Sequence, residues 1–89
     1  MKQNCLDFIA DMKNFKQTDN FDDCEYVDMM CPRILGYLKS VRRLINRAGR
    51  LSGTAVEYHD IQRELEGLYT SFKEQERKLL DDSFNQFIN

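Results

Sequence analysis

Residues 32–53 read PRILGYLKSVRRLINRAGRLSG: six basic residues and no acidic one, within a chain of 89 residues whose net charge is −2. At about 100° per residue, the apolar side chains Ile34, Tyr37, Leu38, Val41, Leu44, Ile45, Ala48 and Leu51 gather on one broad arc. Lys39, Arg43, Arg47 and Arg50 gather opposite it, with Arg42 at the border. A helix turns this order into an apolar face and a cationic stripe. Pro32 has no N–H to give and disfavours helical geometry at Cys31, so it is expected to begin a helix. Gly49 and Gly53 supply the stop.

Downstream, Thr54-Ala55-Val56-Glu57 has the form of a capping box, in which the Thr hydroxyl and the Glu carboxylate satisfy opposite backbone donors. It is expected to open the longest helix, residues 55–80. There Tyr58, Ile61, Leu65, Leu68, Phe72 and Leu79 recur at steps of three and four, interrupted at Gln75, and make a seam narrower than the face of the basic helix. Seams of that width serve antiparallel hairpins, so Ile34, Leu38, Val41, Ile45 and Ala48 are expected to face Ile61, Leu65, Leu68 and Phe72. Glu74–Lys78, Arg77–Asp81 and Lys78–Asp82 stand as i, i+4 pairs on the solvated side. Asp81, Asp82 and Ser83 would cap a last short turn carrying Phe84, Phe87 and Ile88, three large apolar residues that need cover from the bundle or from another chain.

Upstream, residues 4–15 set Cys5, Phe8, Ile9, Met12 and Phe15 on one face, with Asn4 as the N-cap and Asp7 in the first turn. Gln17-Thr18-Asp19-Asn20 reads as a turn, and residues 21–30 as a second short helix burying Phe21, Cys24 and Val27. The expected fold is therefore all-α, a single domain over residues 1–89. Two short helices fill residues 1–31, the basic helix 32–53, and the long acidic helix with its apolar end 54–89. These four helical segments would form a small bundle built on an antiparallel hairpin.

Hydrophobic residues make up 42% of the chain, too many for disorder, and one Pro and four Gly leave little punctuation for a many-stranded fold. The apolar runs fall short of the roughly 20 residues that span a bilayer. Asp7 and Asp11 interrupt the N-terminal stretch where a signal peptide would need its apolar core. No membrane association is expected, and the expected compartment is cytoplasmic. Cys5, Cys24 and Cys31 are too few and too irregular for a disulfide framework and are expected as free thiols. Charge is strongly blocked: +1 over residues 1–18, −5 over 19–31, +6 over 32–54 and −4 over 55–89.

Structural zinc sites repeat ligand pairs two to four residues apart; Cys24 and Cys31 are spaced more widely and His59 is the single imidazole, so no metal or cofactor is expected. No Gly-rich phosphate loop, nucleophile elbow or paired-carboxylate pocket is present in the sequence, and no catalytic residue is assigned. What remains is binding. The expected function is a non-enzymatic protein-binding module, a regulatory adaptor or inhibitor that docks by helix faces and self-associates, most simply as a homodimer. Lys39, Arg42, Arg43, Arg47 and Arg50 would meet a protein partner with an acidic surface, since the guanidinium fork suits carboxylates. Ile61, Leu65, Leu68, Phe72, Leu79, Phe84, Phe87 and Ile88 would form the oligomer or partner seam. The alternatives are nucleic-acid binding through the arginine-rich helix and capture of a small anionic ligand such as a nucleotide. Against nucleic acid stand the overall acidity, the single interleaved aromatic (Tyr37), and a basic helix that precedes its turn, unlike the recognition helix of a helix-turn-helix.

Overall fold

A computed structural model describes residues 2–49 and 53–88. Among the described residues are three α-helices, one short 3-10 turn and no strand: α1 (Lys2–Phe15), the 3-10 turn (Asp19–Asp22), α2 (Cys24–Ala48) and α3 (Gly53–Ile88). The chain is all-α, as its periodicity requires. The four expected segments become three helices because the break expected at Pro32 is absent; a second expected break, within the last segment, is absent too.

The first missing break is at Pro32, which lies inside α2. Its ring deprives the Asp28 carbonyl of the usual i→i−4 donor, yet both residues are exposed, where solvent can stand in. On the buried face, Val27, Cys31, Ile34, Leu38, Val41 and Ile45 run past the proline without interruption. Packing along that stripe outweighs a local cost of about 3 kcal/mol. The second missing break follows Leu80. Neither Gly nor Pro occurs there, Asp and Ser each cost only a few tenths of a kcal/mol in helix propensity, and α3 continues to Ile88.

The ends follow local chemistry. α2 starts at Cys24 instead of Phe21 because Asp23 caps it, its carboxylate accepting from the Glu25 N–H at 3.0 Å, while the residues before it wind into the 3-10 turn. α1 already includes Lys2, ahead of the expected cap Asn4. Gly49 ends α2 at φ 81°, a conformation that favours glycine, and its N–H donates to the Ile45 carbonyl at 3.2 Å. α3 begins at Gly53, so Thr54, expected as the cap, lies inside the helix, its side chain outside the described set, and the Glu57 carboxylate pairs with Lys2 at 3.2 Å.

α3 runs back along α2: Arg42 pairs with Glu66 at 3.6 Å, while Gln75 reaches the chain just before α2. Their apolar stripes meet along most of α2, with Tyr58, Ile61, Leu65, Leu68 and Phe72 buried opposite the α2 stripe. Ala48 stays exposed, outside that set. α1 adds Cys5, Phe8, Ile9 and Met12 to the same core. Phe8 stacks on Tyr37 with centroids 4.1 Å apart, and Phe15, Phe21 and Phe72 form an aromatic cluster at 5.1–6.3 Å. Lys2–Glu57 and Lys13–Glu64, both at 3.2 Å, tie α1 to α3 along its length. The i, i+4 pairs expected at Glu74–Lys78, Arg77–Asp81 and Lys78–Asp82 do not form among the described residues; on α3 the local pairs are Asp60–Arg63 and Lys73–Glu76.

At 1.5 Å per residue, the 36 residues of α3 are about 54 Å long and span the whole 55 Å length of the molecule. The 25 residues of α2 reach only about 37 Å. Half-buried Leu79 closes the packed region, and residues 80–87, every one exposed, project past it. No helix among the described residues is long and apolar enough to cross a membrane.

Candidate functional site

The structure divides the expected seam in two. Ile61, Leu65, Leu68 and Phe72 are buried against α1 and α2, so they hold the chain's own core and are withdrawn from any partner. This corrects their reading as an oligomer seam: the same side chains share one core with the α2 stripe and with Cys5, Phe8, Ile9 and Met12 of α1. Leu79 is half-buried at the rim. Phe84 and Phe87 are 63% and 90% exposed, and Leu80 joins them at 54%. The side chain of Ile88 lies outside the described residues.

Leu80, Phe84 and Phe87 stand at i, i+4 and i+7, so they share one side of the projecting end of α3. The sequence-read seam omits Leu80, because it runs through the neighbouring Leu79 and the expected helix stops at Leu80. The four- and three-residue steps from Leu80 were the available signal.

The cationic stripe is present on the second half of α2. Lys39, Arg42, Arg43 and Arg47 are all exposed, and Arg50 lies outside the described residues. Arg42 leans on Glu66; Lys39, Arg43 and Arg47 have no ion-pair partner among the described residues. Arg33, nearly two turns earlier, sits apart, its guanidinium 5.6 Å from the Phe8 ring. Along α2 the acids Asp23, Glu25 and Asp28 lie at the N-terminal end and the cations at the C-terminal end, the order that the helix dipole favours. Strip and stripe occupy opposite ends of the rod, since α3 runs back along α2.

Shallow grooves lie along the packed body. One of about 360 Å³ is lined by Arg42, Ile45, Asn46, His59 and Gln62, and half-buried His59 lies there. Another of about 450 Å³ is lined by Asn4, Arg33, Gly36, Tyr37 and Ser40. Cys5, Cys24 and Cys31 form no disulfide. Burial pushes Cys5 and Cys31 up from the usual thiol range; half-buried Cys24 is raised by desolvation and then by Glu76, Asp28, Asp23 and Glu25. Glu76 also raises Cys31, whose Sγ donates to the Val27 carbonyl at 3.4 Å. Thiols held protonated in this way are poor nucleophiles and poor metal ligands. No cluster of three or more His, Cys, Asp or Glu side chains suited to a metal occurs among the described residues. No known protein family, curated protein or solved structure matches the chain.

Proposed function

We propose that the chain is a non-enzymatic protein-binding module that docks by its helix faces. The observation that carries this reading is the strip of Leu80, Phe84 and Phe87 on the uncovered end of α3. Single exposed apolar residues are ordinary on protein surfaces. Three in helical register, two of them aromatic, on a helix end that no other part of the described chain covers, form a contact surface. In this reading the strip supplies affinity, and Lys39, Arg43 and Arg47 supply charge complementarity to an acidic protein surface.

The test is capture from an extract of the parent cells on three immobilised proteins: wild type, Phe84→Glu with Phe87→Glu, and Arg43→Glu with Arg47→Glu. The wild type should retain a protein that the first variant loses and that the second releases at lower salt. The same retained set on all three would sink the reading.

The nucleic-acid alternative draws on one observation, three cations along one exposed ridge of α2 that have no ion-pair partner among the described residues. Anisotropy of a labelled random-sequence duplex at about 50 and 200 mM salt decides it. Steep, salt-dependent binding that Arg43→Glu with Arg47→Glu removes would put phosphate in place of an acidic protein.

A further inference from the structure

We infer that the occupant of the α3 strip is a second copy of the same strip, the two projecting ends lying antiparallel about a two-fold axis at Phe84. The inference rests on the reading of the strip as a protein contact. It commits that contact to one occupant.

An isologous interface requires a patch that complements itself. With the axis at Phe84, each Phe84 meets its counterpart and each Leu80 lies against Phe87 of the other copy, so every apolar group faces an apolar group. At about 100° per residue Asp82, Asn85 and Gln86 fall on the far side of the helix, so the contact is left to the apolar strip and its solvated flanks. A parallel pair would instead bring the two packed bodies side by side, so that the contact could not be confined to the projecting ends. Access is also in place. Residues 80–87 project past the start of α2, so two ends can overlap without the packed bodies meeting.

The area is enough for a reversible dimer. Covering the exposed parts of Leu80, Phe84 and Phe87 on two copies removes on the order of 800 Å² of apolar surface. Homodimer interfaces are roughly 65% apolar, which puts the total near 1,200 Å², the lower bound of specific interfaces. A contact at that lower bound is weak and reversible, so concentration sets the population of dimer.

Sedimentation of the purified full chain from about 5 to 500 μM tests this, with wild type, Phe84→Glu, Phe84→Lys and an equimolar mixture of the two variants. The wild type should pass from monomer to dimer over that range. Each variant alone should remain monomeric, because the axis then opposes two like charges, and the mixture should regain a dimer. Unchanged far-ultraviolet circular dichroism of both variants shows that the fold survives. A wild type that stays monomeric to 500 μM overturns the inference and leaves the extract capture to judge the protein-binding reading by itself. A dimer indifferent to Phe84→Glu also overturns it, because the contact then lies elsewhere on the chain.

Discussion

Gln75 is the residue at which the α3 seam loses its apolar pattern, and the structure gives the reason. Its Nε2 donates to the Phe21 carbonyl at 2.9 Å and to the Asp22 carboxylate at 3.4 Å, so the amide satisfies a turn that α3 would otherwise cover with hydrocarbon. Gln75→Ala should cost about 1 kcal/mol by leaving that carbonyl undonated. Gln75→Glu should cost more at pH 7, since it aims a carboxylate at a carbonyl and at Asp22. The introduced carboxyl would titrate higher in the folded chain than its unfolded value of about 4.3, so stability is present below that pH and is lost as pH rises through the folded pKa. Urea denaturation at pH 3.5 and 7 checks it: the excess cost over Gln75→Ala should vanish at the lower pH. An equal excess at both would remove the charge from the account. Gln75 was legible as an interruption of the seam. Its partner was not, because periodicity reports which side of a helix a residue occupies and nothing of what lies across from it.

The same limit separates what the helices disclosed from what they withheld. The cationic stripe on α2 was readable residue by residue, since 3.6 residues per turn alone puts Lys39, Arg43 and Arg47 on one side. The ion pair between Arg42 and Glu66 was not, for it depends on how α2 and α3 slide against each other. The burial of Ile61, Leu65, Leu68 and Phe72 could be read, and so could the apolar face that brings α1 to the same core, while the pairing of α1 along α3 through Lys2–Glu57 and Lys13–Glu64 could not. Pro32 was misread because a local steric rule was set against a tertiary term invisible in that window, the unbroken stripe from Val27 to Ile45. This makes a prediction for α2 as an element. Pro32→Ala returns an N–H to the Asp28 carbonyl and removes the ring from an exposed helical position, so the variant should be more stable, by up to about 3 kcal/mol. Chemical denaturation reads the change directly. A less stable variant would mean that a bend at Pro32 is needed to seat α2 against α3.

At the scale of the molecule, the consequence of a 36-residue α3 beside a 25-residue α2 is a rod with two unlike ends: Lys39, Arg43 and Arg47 near the turn between the helices, and the apolar strip at the other. Joining two rods by their strips puts both cationic ridges at the far tips of one assembly, where each can engage an acidic surface without crowding the other. Two linked sites of that kind gain through effective concentration on any partner that offers a matching pair of surfaces, and gain nothing on a partner that offers one. The geometry is measurable by small-angle scattering at concentrations where the dimer is populated. Each body is 55 Å long, and an overlap confined to residues 80–88 subtracts about 13 Å, so the antiparallel dimer should have a maximum dimension of roughly 95–100 Å. A parallel pair would hold the bodies side by side and keep the length near that of one chain while doubling its cross-section. Under the antiparallel arrangement, Phe84→Glu should return the scattering curve to that of a 55 Å rod with a radius of gyration near 15.5 Å. A dimer that is short and thick in the wild type would keep self-association but place both ridges at the same tip, and the module would then present one broad cationic face in place of two separated ones.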